Sequence, residues 1–414
     1  MKVHFIGIGG IGVSALARYY LAQGHQVSGS DLVSSEITDD LKKQGVKITI
    51  GRNFIKKEAD LIIHTPAVKI KPGRIKTLSY PQALGEITRN HFTIAVAGTH
   101  GKSTTVTMLG ILLVKAGLDP TVIVGTRVRE FGNSNCRIGK SKYLLIEADE
   151  HFKSFLNYSP KIIIITCLES DHLDYYKNFK NLKKAFKNFV SLLPREGLLL
   201  DMRKISFSLA DKKKVKNLLK VPGEHNVNNG LAALAVARAL SVSDRISFKA
   251  LSQFRGAWRR FETVSKNPLI ISDYGHHPTE IRETLKAARE KWPKKEIWCV
   301  YQPHQYQRTG YLFKGFVKAF REAPVDKLIV TDIFDVAGRE RKIKKINSKK
   351  LVDETRKENV IYQPKKTLKS YLKKKLPARS VLIVMGAGDI YKLVNVSGHR
   401  GGWGDWVSPR VGKD

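Results

Sequence analysis

The chain has 414 residues, 42% of them hydrophobic and 27% charged, which exceeds one ordinary domain and excludes a disordered chain with few apolar residues. No apolar run reaches the roughly 18 residues of a membrane span, and Cys136, Cys167 and Cys299 are too scattered for a disulfide framework, so a cytoplasmic multidomain protein without membrane insertion is expected. The net charge of +36 comes without any zinc-finger, RNP or KH pattern, so it is read as lysines on solvated faces, as in KNFKNLKKAFKNF and LKSYLKKKL, with no specific nucleic-acid partner.

Short β-branched runs alternate with helical patterns along the chain: KVHFIGI, VTMLGILLVKAG, YLLIEAD, KIIIITC, LIISDY, IWCVY, KLIVTD and SVLIVMG set the rhythm. Such alternation predicts an α/β protein with doubly wound parallel sheets. Nucleotide-style segments follow strands near the start, near Ile94 and near Ile270, which implies three domains. These are a Rossmann-like N-terminal domain over 1–90, a central P-loop ATPase-like parallel-sheet domain over 91–264 and a Rossmann-like C-terminal domain over 265–394. The glycine-rich stretch 395–414 is expected to be a flexible tail.

The first motif is GIGGIG, in which Gly7, Gly9 and Gly12 satisfy GxGxxG after a strand, with Asp31 about 20 residues on. Taken alone this fingerprint predicts NAD. Its physics asks only that glycines admit a diphosphate to a helix N-terminus, and UDP carries a diphosphate too.

TIAVAGTHGKSTTVTMLGILL follows as strand, glycine turn and amphipathic helix. Lys102 is placed to meet β- and γ-phosphates and the hydroxyl of Ser103 or Thr104 to meet magnesium, while Gly98 and Gly101 let the backbone approach. Val96 stands where the ordinary pattern has its first glycine, so the loop is a shortened variant. Downstream, YLLIEADE ends a strand with Glu147, and IIIITCLESDHLDYY carries Asp171, His172 and Asp174 after another. Ligand sites form beyond the carboxyl ends of parallel strands, so both clusters can converge on the loop. In EHNVNNGLAALAVARAL, Asn226 and Asn229 share a helical face and suit either adenine or helix capping. ISDYGHHPTEI places Asp273, His276 and His277 at a strand end, where adjacent histidines rarely share one zinc ion, and YQPHQYQRT places His304 and Arg308 after the next strand.

AGTHGKSTT closely resembles the short ATP-binding loop of the Mur ligases and folylpolyglutamate synthetases. GIGGIG, EADE, DHLDYY, EHNVNN, RRFE, DYGHHPTE and YQPHQYQRT resemble Mur ligase signatures in that family's order, above all those of its alanine-adding branch. The resemblance implies an ATP-dependent ligase, with ATP and Mg2+ as cofactors, that activates the lactyl carboxylate of UDP-N-acetylmuramate as an acyl phosphate and joins it to L-alanine. A monomer or weak dimer is expected.

By the same resemblance, Gly98, Thr99, His100, Gly101, Lys102, Ser103 and Thr104 surround the triphosphate, and Ser103, Glu147 and His172 hold magnesium. Asn226 and Asn229 meet adenine, Arg260 (with Arg259 as its alternate) the nucleotide phosphates, and Asp273 the ATP ribose. Gly7, Gly9, Gly10, Ile11 and Gly12, with Ser30 and Asp31, take the sugar nucleotide. His276 and His277 line the cleft, while His304 and Arg308 join Lys102 at the reaction centre. Lys187 lies near a lysine that several relatives carbamylate and is read as an ordinary exposed lysine. A ligase that recycles a ready-made tripeptide is the rival within the family, and an NAD-dependent oxidoreductase the rival outside it. Departures stand at EADEHF for the family's EADESD, at Arg339 after Gly338, at Thr126 after Gly125, and at His64 and Thr65 in LIIHTPA; these touch the sugar and amino-acid ends more than ATP.

Overall fold

Runs of β-branched residues bounded by glycine turns form 17 strands in three sheets in the computed structural model, which describes residues 1–71, 73–335 and 346–394. Gly338, Arg339 and the expected tail 395–414 lie outside the described residues. The first sheet has the order β3-β2-β1-β4-β5, from β1 (Lys2–Ile6), β2 (Gln26–Asp31), β3 (Lys47–Ile50), β4 (Leu61–His64) and β5 (Lys76–Ser79), all parallel. The second has the order β11-β10-β6-β9-β7-β8, from β6 (Phe92–Ala97), β7 (Thr121–Val128), β8 (Ser134–Arg137), β9 (Tyr143–Glu147), β10 (Ile162–Ile165) and β11 (Leu198–Asp201). The third runs β12-β13-β17-β14-β15-β16, from β12 (Glu262–Lys266), β13 (Leu269–Asp273), β14 (Ile297–Tyr301), β15 (Lys327–Val330), β16 (Val360–Tyr362) and β17 (Val381–Met385).

The expected α/β class with parallel sheets holds, with one refinement. An edge strand of each larger sheet, β8 and β12, is antiparallel to its neighbour, because each returns through a short connection rather than through a crossover helix.

The expected amphipathic helix after the glycine turn is the helix Lys102–Lys115, and it is not amphipathic: every residue from Ser103 to Leu113 is buried. It packs against β6, β7 and β9 and also against the helix Asp244–Leu251, so two faces leave water. That is why VTMLGILL reads as a nearly continuous apolar run.

The chain divides into two compact units, the first comprising Met1–Leu219 with Val227–Phe254 and the second Lys220–Asn226 with the chain from Arg255 on. In the first unit one apolar core extends from Val3, Phe5 and Leu16 to Ile163, Phe186 and Phe189, and so joins the first two sheets. Polar ties reinforce it. Asn135 of β8, 1% exposed, donates to the carbonyl of Ile11 and to Ser14 Oγ (2.9 Å), and accepts from Arg18 (2.9 Å). In the second unit the core lies on both faces of the third sheet, around Ile271, Tyr301 and Phe316 on one side and Ile270, Val300 and Leu382 on the other.

His4, in β1, is 1% exposed, pairs with Ser28 Oγ (3.0 Å) and tilts against Phe54. Burial, with the charge of Lys56, depresses its pKa from 6.5 to about 4, against a hydrogen bond involving the Phe54 backbone. A lowered folded-state value means this contribution is complete above pH 6.5 and is lost as pH falls toward 4. Thermal melts from pH 7 to 4 should therefore show a loss on the order of 3 kcal/mol that His4→Phe removes; an unchanged pH profile in that variant refutes the assignment.

Candidate functional site

In the second sheet β6 lies between β9 and β10, and the chain order reverses about it. Whatever follows β6 therefore emerges between whatever ends β9 and whatever ends β10. The phosphate loop leaves β6, Glu147 closes β9 opposite Val96, and Thr166–His172 follow Ile165, which pairs with Ala97. The convergence expected of these segments is present.

Two glycines make the loop possible. Gly98 has φ +138°, and a Cβ there would lie 2.1 Å from Thr166 Oγ1; Gly101, at φ +82°, precedes the helix, and a Cβ there would lie 2.3 Å from Asn229 Oδ1. The loop is clamped to the segment after β10. Thr99 N donates to the Cys167 carbonyl (3.2 Å), Glu169 N to Thr99 Oγ1 (2.9 Å) and His100 N to Cys167 Sγ (3.2 Å), while Thr166 Oγ1 donates to the His100 carbonyl. Thr104 is buried in the first helical turn.

Lys102 folds back over the loop. Its Nζ donates to the Gly98 carbonyl (2.7 Å) and to both oxygens of Glu150, 2.8 Å from Oε2. The Glu150 side chain is 1% exposed. Burial works against charge on both partners: it raises the Glu150 pKa in spite of Lys102, whereas on Lys102 the carboxylates of Glu150, Asp149 and Glu147 outweigh it and hold the ammonium above its usual value.

On the β9 side, Glu147 Oε2 accepts from Ser103 Oγ and from the Gly125 amide, each at 2.8 Å. A carboxylate and a hydroxyl in contact at the start of the phosphate-loop helix are hard oxygen donors, the set magnesium takes, so these residues fit that ion. On the β10 side, His172 has donor atoms within 4.8 Å of Asp149 and Glu150. Its backbone is left-handed (φ +52°), and it opens the short helix Leu173–Tyr176. Asn229 Oδ1 accepts from Thr105 Oγ1 (3.3 Å), and so stands beside the loop.

The first glycine loop sits where the order of the first sheet reverses, between β1 and β4. Gly7 has φ +74° and donates to the Ser30 carbonyl (2.8 Å), and Gly9 N donates to Asp31 Oδ2 (2.7 Å). Gly10 caps the helix Ile11–Ala22, and a Cβ on Gly12 would lie 2.8 Å from the ring of Tyr80. Ser30 Oγ meets Asn53. Asp31, the fingerprint acid, is engaged by the loop itself.

The second unit is described separately. Asn226 donates to the Pro222 carbonyl (2.6 Å). Asp273 accepts from the amides of Phe261 and Gly275, both at 2.8 Å, so its carboxylate fastens the turns on either side of it. Arg259 is buried, donates to the carbonyls of Gly386 and Gly388 and lies over Tyr391 and Tyr274, whereas Arg260 is half-buried, with its guanidinium 4.7 Å from the Tyr274 ring centroid. His277 Nδ1 accepts from Thr279 N (3.2 Å) and caps the helix Pro278–Lys291. His276, His304 and Arg308 gather at the ends of β13 and β14: the imidazoles are 6.2 Å apart, and Arg308 is 3.4 Å from His304 Nδ1.

Sequence reasoning gave EADE one functional residue, Glu147, and missed Glu150. The available signal is a second glutamate three residues on, beyond the strand end, in a chain whose phosphate loop carries a lysine. His151 was noted only as a departure.

Fold and site together define a nucleotide-binding α/β protein with a shortened phosphate loop and a carboxylate-rich strand end. Family models match along the chain in three stretches: the Mur ligase family catalytic domain over residues 2–92, the Mur ligase middle domain over 96–202, and the Mur ligase glutamate ligase domain over 259–388. A UDP-N-acetylmuramate–L-alanine ligase of Acetivibrio thermocellus is 39% identical over 448 aligned positions, covering 94% of each chain, and that of Clostridium kluyveri is 39% identical, covering 95% of this chain and 96% of its own. The crystal structure of the UDP-N-acetylmuramate–alanine ligase MurC of Thermotoga maritima superposes with a TM-score of 0.77 at 27% identity, covering 95% of this chain and 97% of that one. The chain belongs to the Mur ligase family.

The Gly125 amide approaches Glu147 so closely that a Cβ would lie 2.8 Å from Oε2. Gly125→Ala should displace the carboxylate and raise the magnesium concentration needed for half-maximal nucleotide binding by roughly tenfold or more. Calorimetric titration at several magnesium concentrations checks this, and an unshifted requirement contradicts it.

Proposed function

We propose that the protein joins L-alanine to the lactyl carboxylate of UDP-N-acetylmuramate at the expense of ATP, in cytoplasmic synthesis of peptidoglycan precursors. The observation that carries the reading is the emergence of the phosphate loop between Glu147 and the Thr166–His172 segment, on a chain whose relatives from Acetivibrio thermocellus and Clostridium kluyveri bear that activity in their names. Those relatives favour free alanine over a tripeptide as the acceptor, and an oxidoreductase leaves the phosphate loop without a use.

In the first step a carboxylate oxygen attacks the γ-phosphorus; the new O–P bond forms as the bond to the β-phosphate oxygen breaks, and ADP leaves. In the second, the alanine amine attacks the acyl carbon, inorganic phosphate leaves with the C–O electron pair, and the ammonium proton passes to a base. Lys102 stabilises negative charge on the transferring group, as does the helix N-terminus behind Gly101. Ser103, Glu147 and His172 would hold magnesium, whose charge offsets that of the phosphate oxygens. The glycine loop at Gly7–Gly12, with Ser30 and Asp31, takes the UDP diphosphate; Asn226 and Asn229 take adenine, Arg260 the phosphates, and His276, His304 and Arg308 the amino-acid end. No protein nucleophile is needed.

Mass spectrometry of a reaction with ATP, magnesium, UDP-N-acetylmuramate and L-alanine should detect UDP-N-acetylmuramoyl-alanine, and turnover supported by the tripeptide but not by alanine overturns the reading. Lys102→Ala should abolish turnover and also destabilise the protein by roughly 3–5 kcal/mol, because Glu150 is left buried without its cation. Adding Glu150→Gln should restore the melting temperature without restoring activity. Recovery of neither, or of both, contradicts the roles given to the pair.

A further inference from the structure

A histidine that binds a metal through one ring nitrogen is ordinarily oriented by a hydrogen bond at the other. At His172 the nearby carboxylates stand farther off. Its Nε2 is 3.7 Å from Glu150 Oε1 and 3.7 Å from Asp171 Oδ2, both beyond hydrogen-bond reach. What lies against the ring is another ring: His151 stacks face to face on it, with centroids 4.2 Å apart and planes 15° apart. Phe152 covers the opposite face of His151 at 4.1 Å and 26°, and Tyr175 meets both of these edge-on, at 6.2 and 5.1 Å. Phe152 itself adopts φ +53°, a backbone conformation unfavourable to a residue with a side chain, and so carries its ring onto the stack.

We infer that His151 is a positioning residue for the metal: its ring sets the plane in which His172 presents its nitrogen to the cation. The inference rests on the reading of His172 as a magnesium ligand. The physical requirement is a flat surface at van der Waals distance, not a proton or a charge. An aromatic ring without nitrogen should therefore serve, whereas a small residue frees the imidazole to rotate about its side-chain bonds and lowers the fraction of molecules with a preformed site.

The full-length protein with a non-hydrolysable ATP analogue and Mn2+ as the probe separates the possibilities. Mn2+ affinity from electron paramagnetic resonance, and imidazole-nitrogen coupling in the echo modulation of bound Mn2+, are measured for the wild type, His151→Ala, His151→Phe and His172→Ala. The expected result is nitrogen coupling in the wild type that His172→Ala abolishes, an affinity reduced roughly tenfold in His151→Ala with weakened coupling, and both properties retained in His151→Phe. Unchanged affinity and coupling in His151→Ala, beside their loss in His172→Ala, overturn the inference. Unchanged coupling in His172→Ala instead overturns the ligand assignment beneath it. Loss in His151→Phe equal to that in His151→Ala shows that the ring nitrogen rather than the stack matters, and overturns the positioning role. Matching melting temperatures for the His151 variants exclude a folding defect as the cause.

Discussion

The ion pair between Lys102 and Glu150 organises the centre of this protein. A carboxylate that is 1% exposed is costly to keep charged, and the ammonium 2.8 Å away offsets part of that cost. Because Lys102 also donates to the Gly98 carbonyl, the same group ties the end of β9 to the loop that leaves β6. The lysine is thereby held beside an anionic partner rather than in open solvent. The loop keeps its shape through the clamp from Thr166, Cys167 and Glu169, which does not involve the lysine side chain. Shape and charge are thereby supplied by different residues.

The arrangement follows from strand order. With β9 and β10 on either side of β6, two segments distant in sequence are delivered to one place without any long loop. Glu147 comes as the last residue of a strand and His172 as the residue just before the helix Leu173–Tyr176, so both side chains stand next to regular structure. The left-handed conformation at His172 sets the direction in which that side chain leaves the backbone.

Much of this was legible in the residues. The glycines of GIGGIG and GTHGKS announced both loops, because only backbone that must pass close to something keeps glycine at such spacing, and the β-branched runs announced the sheets. What escaped was determined by burial and by pairing across the sequence. The helix after the phosphate loop was expected to have a wet face, yet the helix Asp244–Leu251 covers it, and no local pattern records a neighbour more than 100 residues away. Nothing in EADE marks Glu150 as buried. Its role depends on a lysine 48 positions earlier. Arg259 and Arg260 are indistinguishable in RRFE; the fold separates them by turning Arg259, at φ +55°, inward onto the Gly386 and Gly388 carbonyls. Asp273 and His277 lie in a motif that resembles a ligand site; that Asp273 also fastens two turns through amides and that His277 caps a helix are contacts no spacing in the sequence records.

The shared core beneath the first two sheets has an implication for how two reactants meet. Asn135 grips the opening turn of the helix behind the first glycine loop, Arg18 joins it, and Phe155, Phe186 and Phe189 continue the apolar mass toward the phosphate loop. The span between the two glycine turns is therefore set by the packing of one core. Two ligands seated at these turns would meet across a distance that one shared core sets, so their proximity would come from folding rather than from chance encounter.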